Sequence, residues 1–482
     1  MRQSRPAHAP RRRRPTPGSP PLDRRRRPPA GLWLAAAVLA LGLGPAAGPS
    51  AAAVVGNFDT GPLQAAAVGA SGCGANTAGE PAIHVSQADN VLLGSENGLG
   101  GGSQLWRGLA AVGGPAASAC GLEFRGSPNA LLPGLALAGG DIDIAVASAP
   151  NPAGRFNVYV ASLNLLSVNV AHSLDDAATF TQTPVVFGLP LDDREWIAAY
   201  GAHTSLLSYH DVLTNDINVL RSDDDGATYT QISQAIPLTD YRARNNELGN
   251  LVIDHRNLPA PGSFYAYQTF VAPSSPSGAA NNEAFLAVSS DGGHSWSDQP
   301  IPCSVSPSGL DHNFPNASVD PAGNVWYAWS DDHNITTAVS SDHGRSWTCS
   351  RPVSINTAQA IFPWLAATAH GVDLVYYASP TPPAADQTFY VYFAQNPYTT
   401  AGAPVGWRVP QRLVAVHRGA ICESGVTCTT GRQLFDDFGV DTDSLGYAHI
   451  AYSHDSPDLG GPGSYTGYAV QRHGIRVGRP NN

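Results

Sequence analysis

The chain has 482 residues, with 50 glycines, 40 prolines, only 13% charged residues and a formal net charge of −11. All 27 basic residues are arginines; ten of them and one acid lie in residues 1–30, which leaves 17 arginines against 37 acids, a charge of −20. This balance argues against a nucleic-acid partner, because phosphate binding needs a basic face. The many glycines and prolines, with little helical periodicity, indicate short strands joined by tight turns.

The N-terminal segment has the organisation of an export signal. Residues 1–30 are rich in arginine and proline, residues 32–43 are apolar, and small residues follow at 46–53. The order of a basic region, an apolar region and small residues is typical of a signal peptide, and the apolar run is short for a membrane span. We therefore predict a signal peptide over residues 1–53, a linker or closing strand over 54–79, and one domain over 80–482. The protein would be secreted, periplasmic or on the cell surface, with no stable membrane span after cleavage.

Cysteine usage agrees with export. Six cysteines follow the predicted signal, at positions 73, 120, 303, 349, 422 and 428. An even number in an exported chain indicates disulfides, and Cys422–Cys428 is the best-supported pair because it closes a short loop. Pairings of 73 with 120 and of 303 with 349 stay open. No Cys-x-x-Cys pair is present, so a zinc site is not indicated.

Seven units of similar order follow one another from residue 80. Each begins with an opening segment, which is a short tag followed by a buried strand, and continues with a second strand rich in valine, tyrosine and tryptophan. The opening segments are residues 80–85, 141–146, 193–198, 247–252, 314–319, 362–367 and 435–440. They recur roughly every 50–70 residues, which is the length of one four-stranded blade. We predict an all-β fold, a single seven-bladed β-propeller of four-stranded antiparallel blades, with six blades as the alternative.

A motif S-x-D-x-G-x-[S/T]-aromatic recurs in four of these units. It is spelled SLDDAATF at 173–180, SDDDGATY at 222–229, SSDGGHSW at 289–296 and SSDHGRSW at 340–347; we call these the box segments. The aspartate can accept hydrogen bonds from backbone N–H groups two and three residues on, the glycine supplies a positive φ, and the aromatic packs on the neighbouring sheet. Each box segment is therefore predicted to be a corner between two strands. The residues with this structural role are Ser173, Asp175, Ser222, Asp224, Gly226, Ser289, Asp291, Gly293, Trp296, Ser340, Asp342, Gly344 and Trp347.

The box segments match the Asp-box, or bacterial neuraminidase repeat, and residues 80–472 resemble the sialidase-like β-propeller superfamily. The resemblance implies a tyrosine nucleophile with a glutamate partner, an aspartate acid/base and three arginines that bind the carboxylate of the substrate. This chain departs from that pattern, because Arg194 is the only arginine in an opening segment. Arg242 and Arg244 lie shortly before the fourth opening segment. The resemblance therefore favours the architecture more strongly than sialidase activity, since one fold hosts many functions.

The position of the box segments predicts where a site would lie. If each box joins the third and fourth strands, the boxes share one end of the propeller, and the opening segments ring the central mouth at the other end. The catalytic candidates in this ring are Asp141, Arg194, Glu195, Glu247 and Tyr377. The binding candidates are Glu80, Asp143, His312, Asn313, Trp364 and Asp437. Such crowding of carboxylates should raise some of their pKa values.

Two functions remain open from the sequence. The first is a non-catalytic exported propeller that binds a glycan, or a cell-surface or extracellular protein, at an acidic mouth that suits anionic sugars poorly. The alternative is a glycoside hydrolase, either exo-sialidase-like or acting on a neutral glycan with Glu195 and Asp141 or Glu247 as paired carboxylates. Neither function requires a cofactor, although ring carboxylates would suit Ca²⁺. We expect a monomer.

Overall fold

The computed structural model describes the chain from the first strand onward. The described residues are 56–63, 76, 79–97, 101–109, 120–130, 141–164, 167–185, 192–310, 314–423, 428–436, 438–455, 459–461 and 463–477. The predicted export signal and three of the binding candidates, His312, Asn313 and Asp437, lie outside these ranges. The described ranges contain 28 strands and one short 3-10 helix, Tyr241–Arg244. No helix in this part of the chain is long and apolar enough to cross a membrane.

The strands form seven four-stranded antiparallel sheets, here called blades 1 to 7. Blades 1 to 6 each use four consecutive strands, and blade 7 combines the last three strands with the first. Blade 1 consists of β2 (Gly79–Val85), β3 (Asn90–Glu96), β4 (Ser103–Leu109) and β5 (Glu123–Gly126); blade 2 of β6 (Ile142–Val146), β7 (Val158–Asn164), β8 (Ser167–Ser173) and β9 (Thr181–Pro184); and blade 3 of β10 (Asp192–Tyr200), β11 (Thr204–Asp211), β12 (Asp216–Ser222) and β13 (Thr230–Gln234). Blade 4 consists of β14 (Glu247–Ile253), β15 (Ala266–Ala272), β16 (Glu283–Ser289) and β17 (Ser297–Pro300), and blade 5 of β18 (Asn316–Val319), β19 (Val325–Ser330), β20 (Ile335–Ser340) and β21 (Thr348–Cys349). Blade 6 consists of β22 (Gln359–Thr368), β23 (Gly371–Ser379), β24 (Thr388–Pro397) and β25 (Gln411–Arg418), and blade 7 of β26 (Gly439–Thr442), β27 (Ala448–His454), β28 (Tyr465–Gly474) and β1 (Gly56–Pro62).

The seven blades close into a ring. The first strand of each blade is the inner strand, and it contacts the inner strand of the next blade, including β26 of blade 7 against β2 of blade 1. Strand β1 pairs antiparallel with β28 and is the outer strand of blade 7. The two ends of the described chain therefore share one sheet. The predicted seven-bladed propeller of four-stranded antiparallel sheets is confirmed, and the six-bladed alternative is wrong.

The core is divided among the interfaces between blades. Among the described residues, seven buried apolar clusters are found, one at each blade interface. Neighbouring residues of one strand serve different clusters, because side chains alternate between the two faces of a sheet. In β3, for example, Leu92 packs against blade 2, whereas Val91 and Leu93 pack against blade 7. Each blade is thus apolar on both faces, which explains the continuous apolar runs in the sequence.

The four box segments adopt one geometry, each between the third and fourth strands of its blade. In residues 289–296 the Ser289 hydroxyl donates to Asp291 Oδ1 and accepts from Gly293 N, at 2.8 and 2.9 Å. Asp291 also accepts from the backbone N of Ser295 at 2.9 Å and from its hydroxyl at 2.6 Å. A backbone donor four residues after the aspartate thus adds to the expected ones, and in the first box Asp175 also accepts from the backbone N three residues on, that of Ala178, at 3.1 Å. Because 1–2 and 3–4 connections share one end of an antiparallel sheet, all four boxes lie together at what we call the box end, and the opening segments begin at the mouth end.

The box aromatics pack on the preceding blade, as expected. Trp296 of blade 4 donates from Nε1 to the Ser233 hydroxyl of blade 3 at 3.0 Å. Trp347 of blade 5 packs against the apolar cluster between blades 4 and 5 and meets Tyr327 of its own blade edge-on. In the first box, Ala177 takes the place of glycine and adopts the same left-handed backbone, with φ of 61°. The motif thus fastens neighbouring blades.

Two disulfides join described residues. Cys422–Cys428 closes the short loop that the sequence predicts. Cys303–Cys349 links the segment after blade 4 to the outer strand of blade 5. Cys120 is also disulfide-bonded, and residue 73 lies outside the described ranges.

Candidate functional site

Arg194 lies at the centre of the mouth end, near the start of inner strand β10. Its backbone has a φ of 51° at a bulge between Asp193 and Glu195. Its Nη1 donates to the carboxylate of Glu80 in blade 1 and to Asp141 Oδ1 in blade 2, the latter at 3.2 Å. Its backbone N donates to Asp141 Oδ2 at 3.1 Å. One residue therefore connects three blades through a buried ion cluster.

Aromatic rings enclose the remaining sides of this guanidinium. Arg194 Cζ lies 4.3 Å from the ring centroid of Trp196 and 4.9 Å from that of Phe314 in blade 5. Only 3% of the Arg194 side chain is exposed. Desolvated contacts of this kind stabilise a cation in place. The arginine that the sequence singled out is therefore enclosed by protein groups, which is the environment of a structural ion cluster.

A second arginine, which the sequence analysis missed, lies beside this cluster. Arg432 makes a bidentate salt bridge to Asp436, just before blade 7. Burial alone would lower the pKa of Arg432, but the hydrogen bonds and charge of Asp436 raise it, and Glu80 and Asp141 add to that effect. Its position three residues before the seventh opening segment was the available sequence signal. Like Arg194, it is neutralised by carboxylates of the protein.

Asp193 is the exposed carboxylate at the meeting point of these charges. The protein that surrounds it, followed by repulsion from Asp141, Asp436 and Glu247, raises its pKa to about 7, although Arg194 opposes the shift. Carboxylates from blades 2, 4 and 7 can all raise the pKa of one aspartate of blade 3 only if that aspartate lies near the central axis of the propeller. We define the acidic mouth by the five carboxylates that converge here, Glu80, Asp141, Asp193, Glu247 and Asp436.

Glu195 lies beside the acidic mouth but has no exposed surface. Neither of its carboxyl oxygens has a hydrogen-bond partner among the described residues. Burial, followed by repulsion from Asp141, raises the pKa of Glu195 well above its usual value, with Arg194 opposing. These effects favour the protonated form of this carboxyl. It could donate a proton only to a group that reaches this buried position.

Two tryptophans from non-adjacent blades meet across the channel beneath the mouth. Trp196 of blade 3 and Trp364 of blade 6 have ring centroids 5.5 Å apart. Blades 3 and 6 can touch only across the central channel, so this pair separates the channel into a mouth-end part and a box-end part. Trp196 is buried and Trp364 is half-buried.

Asp143 lies on the box-end side of that pair, not in the acidic mouth. It is two residues beyond Asp141 on β6, roughly 7 Å further along a strand that rises about 3.3 Å per residue. Its carboxylate accepts from Ile144 N at 2.8 Å and from Ile197 N of blade 3 at 2.9 Å. Oδ2 therefore fastens blade 2 to blade 3, while Oδ1 bonds within its own strand, which is a structural role alongside any binding role.

The same fastening recurs between other blades. Asp441 accepts from Val85 N, joining blade 7 to blade 1 at 2.7 Å. Asn316 accepts from Leu365 N, joining blade 5 to blade 6 at 2.7 Å. Polar side chains of the inner strands thus accept hydrogen bonds from backbone N–H groups of the neighbouring inner strand. These N–H groups lie at the inner edges of the blades, where a propeller has no further strand to pair with.

Tyr377, the candidate nucleophile, is enclosed in the core and is not exposed at the acidic mouth. It is fully buried between blades 6 and 7, and its ring stacks on Phe438 with centroids 3.9 Å apart. Its hydroxyl accepts from Ser453 N at 2.8 Å. This is the placement of a core tyrosine, and we leave it out of the proposed site.

Two further arginines precede the fourth opening segment: Arg244 is exposed, whereas Arg242 is held within the protein. Arg242, in the 3-10 helix, is bonded to Asp240 and lies 3.7 Å from Asp298. Within the described ranges, no group of three or more His, Cys, Asp or Glu residues is placed to hold a metal ion. The Ca²⁺ suggested by the carboxylate ring therefore gains no support from the described geometry.

Comparison with known proteins gives similarity in fold. No protein-family model matches the sequence, and no curated protein matches it. Similar solved structures include a GH74 enzyme of Niastella koreensis (14% identity, TM-score 0.47, 84% of this chain and 53% of that one). Others are an α-L-arabinanase of Penicillium chrysogenum complexed with arabinobiose (12%, 0.44, 83% and 93%) and the NanB sialidase of Streptococcus pneumoniae (9%, 0.41, 83% and 69%).

The chain spans about half the length of the GH74 enzyme. At these identities and scores the similarity extends to the fold alone. The resemblance to sialidase-like propellers is confirmed at that level, with seven blades in this chain.

Proposed function

We propose that this chain is an exported β-propeller that binds a neutral or basic ligand, a glycan or an extracellular protein, at its acidic mouth. The single observation that supports this most is the distribution of charge. Arg194 and Arg432 are both held by carboxylates of the protein, while Asp193 stays exposed. An anionic sugar would therefore meet carboxylates, while Arg194 and Arg432 are already bonded to carboxylates of the protein, which is electrostatically unfavourable.

Export rests on two supports. The N-terminal sequence has the order of a signal peptide, and the disulfides Cys303–Cys349 and Cys422–Cys428 are typical of oxidising compartments. Both the glycan and the protein ligand class are compatible with that location.

A glycan array tests the binding proposal. Purified protein should bind neutral or amino-sugar glycans, and Asp193→Asn should weaken that binding at least tenfold. Asp386→Asn is the matched control, because Asp386 is exposed on a mouth-end connection between β23 and β24. An array without hits, and without a protein ligand from an extracellular panel, would contradict the proposal, as would equal binding by both variants.

Hydrolysis of a neutral glycan is the second candidate function, and the raised pKa values favour it. Asp193, with a pKa of about 7, can carry a proton at neutral pH, and burial raises the pKa of Glu195 in the same direction. A panel of fluorogenic glycosides, including a sialoside, tests it. Turnover of a neutral glycoside that Glu195→Gln or Asp141→Asn abolishes would establish hydrolysis, whereas we expect no turnover of the sialoside.

A further inference from the structure

The box-end part of the channel contains a cavity of about 240 Å³ that the sequence did not indicate. Its walls are the second halves of inner strands and the turns that follow them, and Trp364 lies at its floor. A further hollow of about 480 Å³ shares Gln87, Ser148 and His255 with it and is bounded by 1–2 connections at the box end. The shared residues make the two hollows neighbours on one path toward the surface.

One side of the cavity is polar. His84 lies between two carboxylates, with Nδ1 3.7 Å from Asp441 Oδ2 and Nε2 4.0 Å from Asp143 Oδ1. Both separations exceed good hydrogen-bond distances, and about a third of the His84 side chain is exposed. The imidazole therefore retains the capacity to bond to a molecule in the cavity.

Part of the charge of this group is offset within the protein. Both carboxylates already accept backbone N–H groups from adjacent blades. Burial lowers the pKa of His84, but Asp441 and Asp143 outweigh it and raise the pKa overall. The two aspartates thus favour the protonated form of the histidine, which offsets part of their charge.

Elsewhere the cavity wall mixes apolar side chains with serine and asparagine side chains. Val146, Val252 and Val319 are its apolar part, and each is half-buried. Together with the indole of Trp364 they offer a surface for C–H groups, and an indole face is suited to ring stacking. At about 30 Å³ per water, the cavity has the volume of roughly eight water molecules.

We propose that this cavity is a second binding site, separate from the acidic mouth, for a single neutral polyhydroxylated ring such as one monosaccharide unit. The ring would place its C–H face against Trp364 and the valines and its hydroxyls toward His84 and Asp441. A neutral ligand fits because His84 offsets part of the charge of the two aspartates, and an amphipathic ring fits because the lining combines polar groups with the indole and valine side chains. The Trp196–Trp364 pair separates this site from the mouth.

Saturation-transfer NMR on the full-length mature protein tests the site. The probes are glucose, galactose, mannose, xylose and arabinose, with choline as a cationic probe. We expect transfer to at least one neutral sugar and none to choline. The sugar signal should fall at least tenfold in Val252→Phe, which fills the cavity, and in His84→Gln, which removes the polar anchor.

Two controls locate the binding. Val212→Phe makes the same substitution at an exposed position between β11 and β12, and it should bind like the wild type. Asp193→Asn alone should retain the sugar signal, and Val252→Phe and His84→Gln are made in this background so that binding at the mouth does not contribute, which separates this site from the proposed function of the mouth. If Val252→Phe does not fold, His84→Gln decides the test.

Three results would overturn the proposal. They are no transfer to any neutral sugar, transfer to choline alone, and a sugar signal that survives in folded Val252→Phe and His84→Gln. A signal lost only in Asp193→Asn would support binding at the mouth and reject the second site.

Discussion

Arg194 combines a left-handed backbone, a guanidinium that is 3% exposed and carboxylate partners from two other blades. A non-glycine residue with positive φ is uncommon and persists where its surroundings fix it. Glu80, in the equivalent position of blade 1, also has a positive φ, of 51°. The ion pair at the centre of the ring is therefore built from two residues that share an unusual backbone geometry.

Removal of this arginine should destabilise the fold. Arg194→Ala leaves Glu80 and Asp141 buried without their cation, so we expect a loss of about 3–5 kcal/mol in the free energy of unfolding. Urea denaturation at pH 7 measures it. Arg345→Ala, at an exposed position in a box segment, should stay within about 0.5 kcal/mol of the wild type. A loss below about 1 kcal/mol for Arg194→Ala would show that the cluster contributes little.

Asp192 should make stability depend on pH. It is 2% exposed, neither carboxylate oxygen has a hydrogen-bond partner among the described residues, and burial, followed by Asp211, raises its pKa to about 7. The native state therefore binds more protons than the unfolded state between about pH 4 and 7, so this contribution to stability is complete below pH 4 and is lost as pH rises through 7.

Asp192→Asn should accordingly flatten the curve of stability against pH. We expect the variant to be more stable than the wild type at pH 8, by about 1 kcal/mol or more, and similar to it at pH 4. Asp386→Asn should leave the curve unchanged. A variant that is less stable than the wild type at pH 8 would contradict this account of Asp192.

In the box segments, some structural features could be predicted from the sequence pattern, whereas others depend on packing. Their spelling predicted a corner, its hydrogen-bonded aspartate and the packing of its aromatic, and these are found in the structure. The structural consequence of Ala177 was not predictable from spelling, because the cost of a left-handed alanine depends on the contacts of its methyl group. That methyl is fully buried in the cluster between blades 1 and 2.

Two opposite substitutions test this balance. Gly293→Ala should destabilise by about 1–2 kcal/mol, because a left-handed φ disfavours Cβ, and that Cβ would lie 3.2 Å from Leu206 Cδ1. Ala177→Gly relieves similar strain but loses a buried methyl worth about 0.8 kcal/mol, so its net effect should be within about 1 kcal/mol of zero. Urea denaturation of both variants measures these values. Equal losses in the two variants would show that φ does not control the box.

For the inner strands, the sequence predicted their place in the ring but not their backbone bulges. The opening segments were correctly assigned to the ring, because their period and apolar runs follow blade geometry. The bulges at Glu80, Arg194 and Phe362 were not predicted, since left-handed L-residues carry no composition signature. The two sides of the channel were not distinguished either, because the contact of Trp196 with Trp364 depends on closure of the ring.

At the scale of the whole molecule, closure depends on strand β1. It covers the edge of β28, and its Phe58 meets Phe393 of blade 6 with centroids 4.9 Å apart. An uncovered edge strand presents unpaired N–H and C=O groups to other chains. The segment before the first opening segment is therefore part of the ring.

Removal of this strand should expose that edge. A chain that begins at residue 63 should have a lower melting temperature than one that begins at residue 54, and it should self-associate as concentration rises. Differential scanning calorimetry and light scattering measure the two effects. A monomer with an unchanged melting temperature would show that β1 is dispensable.

The central claim is that the acidic mouth selects its ligand by charge. The most direct measurement compares binding of one glycan with and without its terminal sialic acid, by calorimetry at low salt, to the wild type and to an Asp193→Asn/Glu247→Gln variant. We predict that the wild type binds the asialo form at least tenfold more tightly and that the double variant loses this preference. Tighter binding of the sialylated form by the wild type, or an unchanged preference in the variant, would contradict the account.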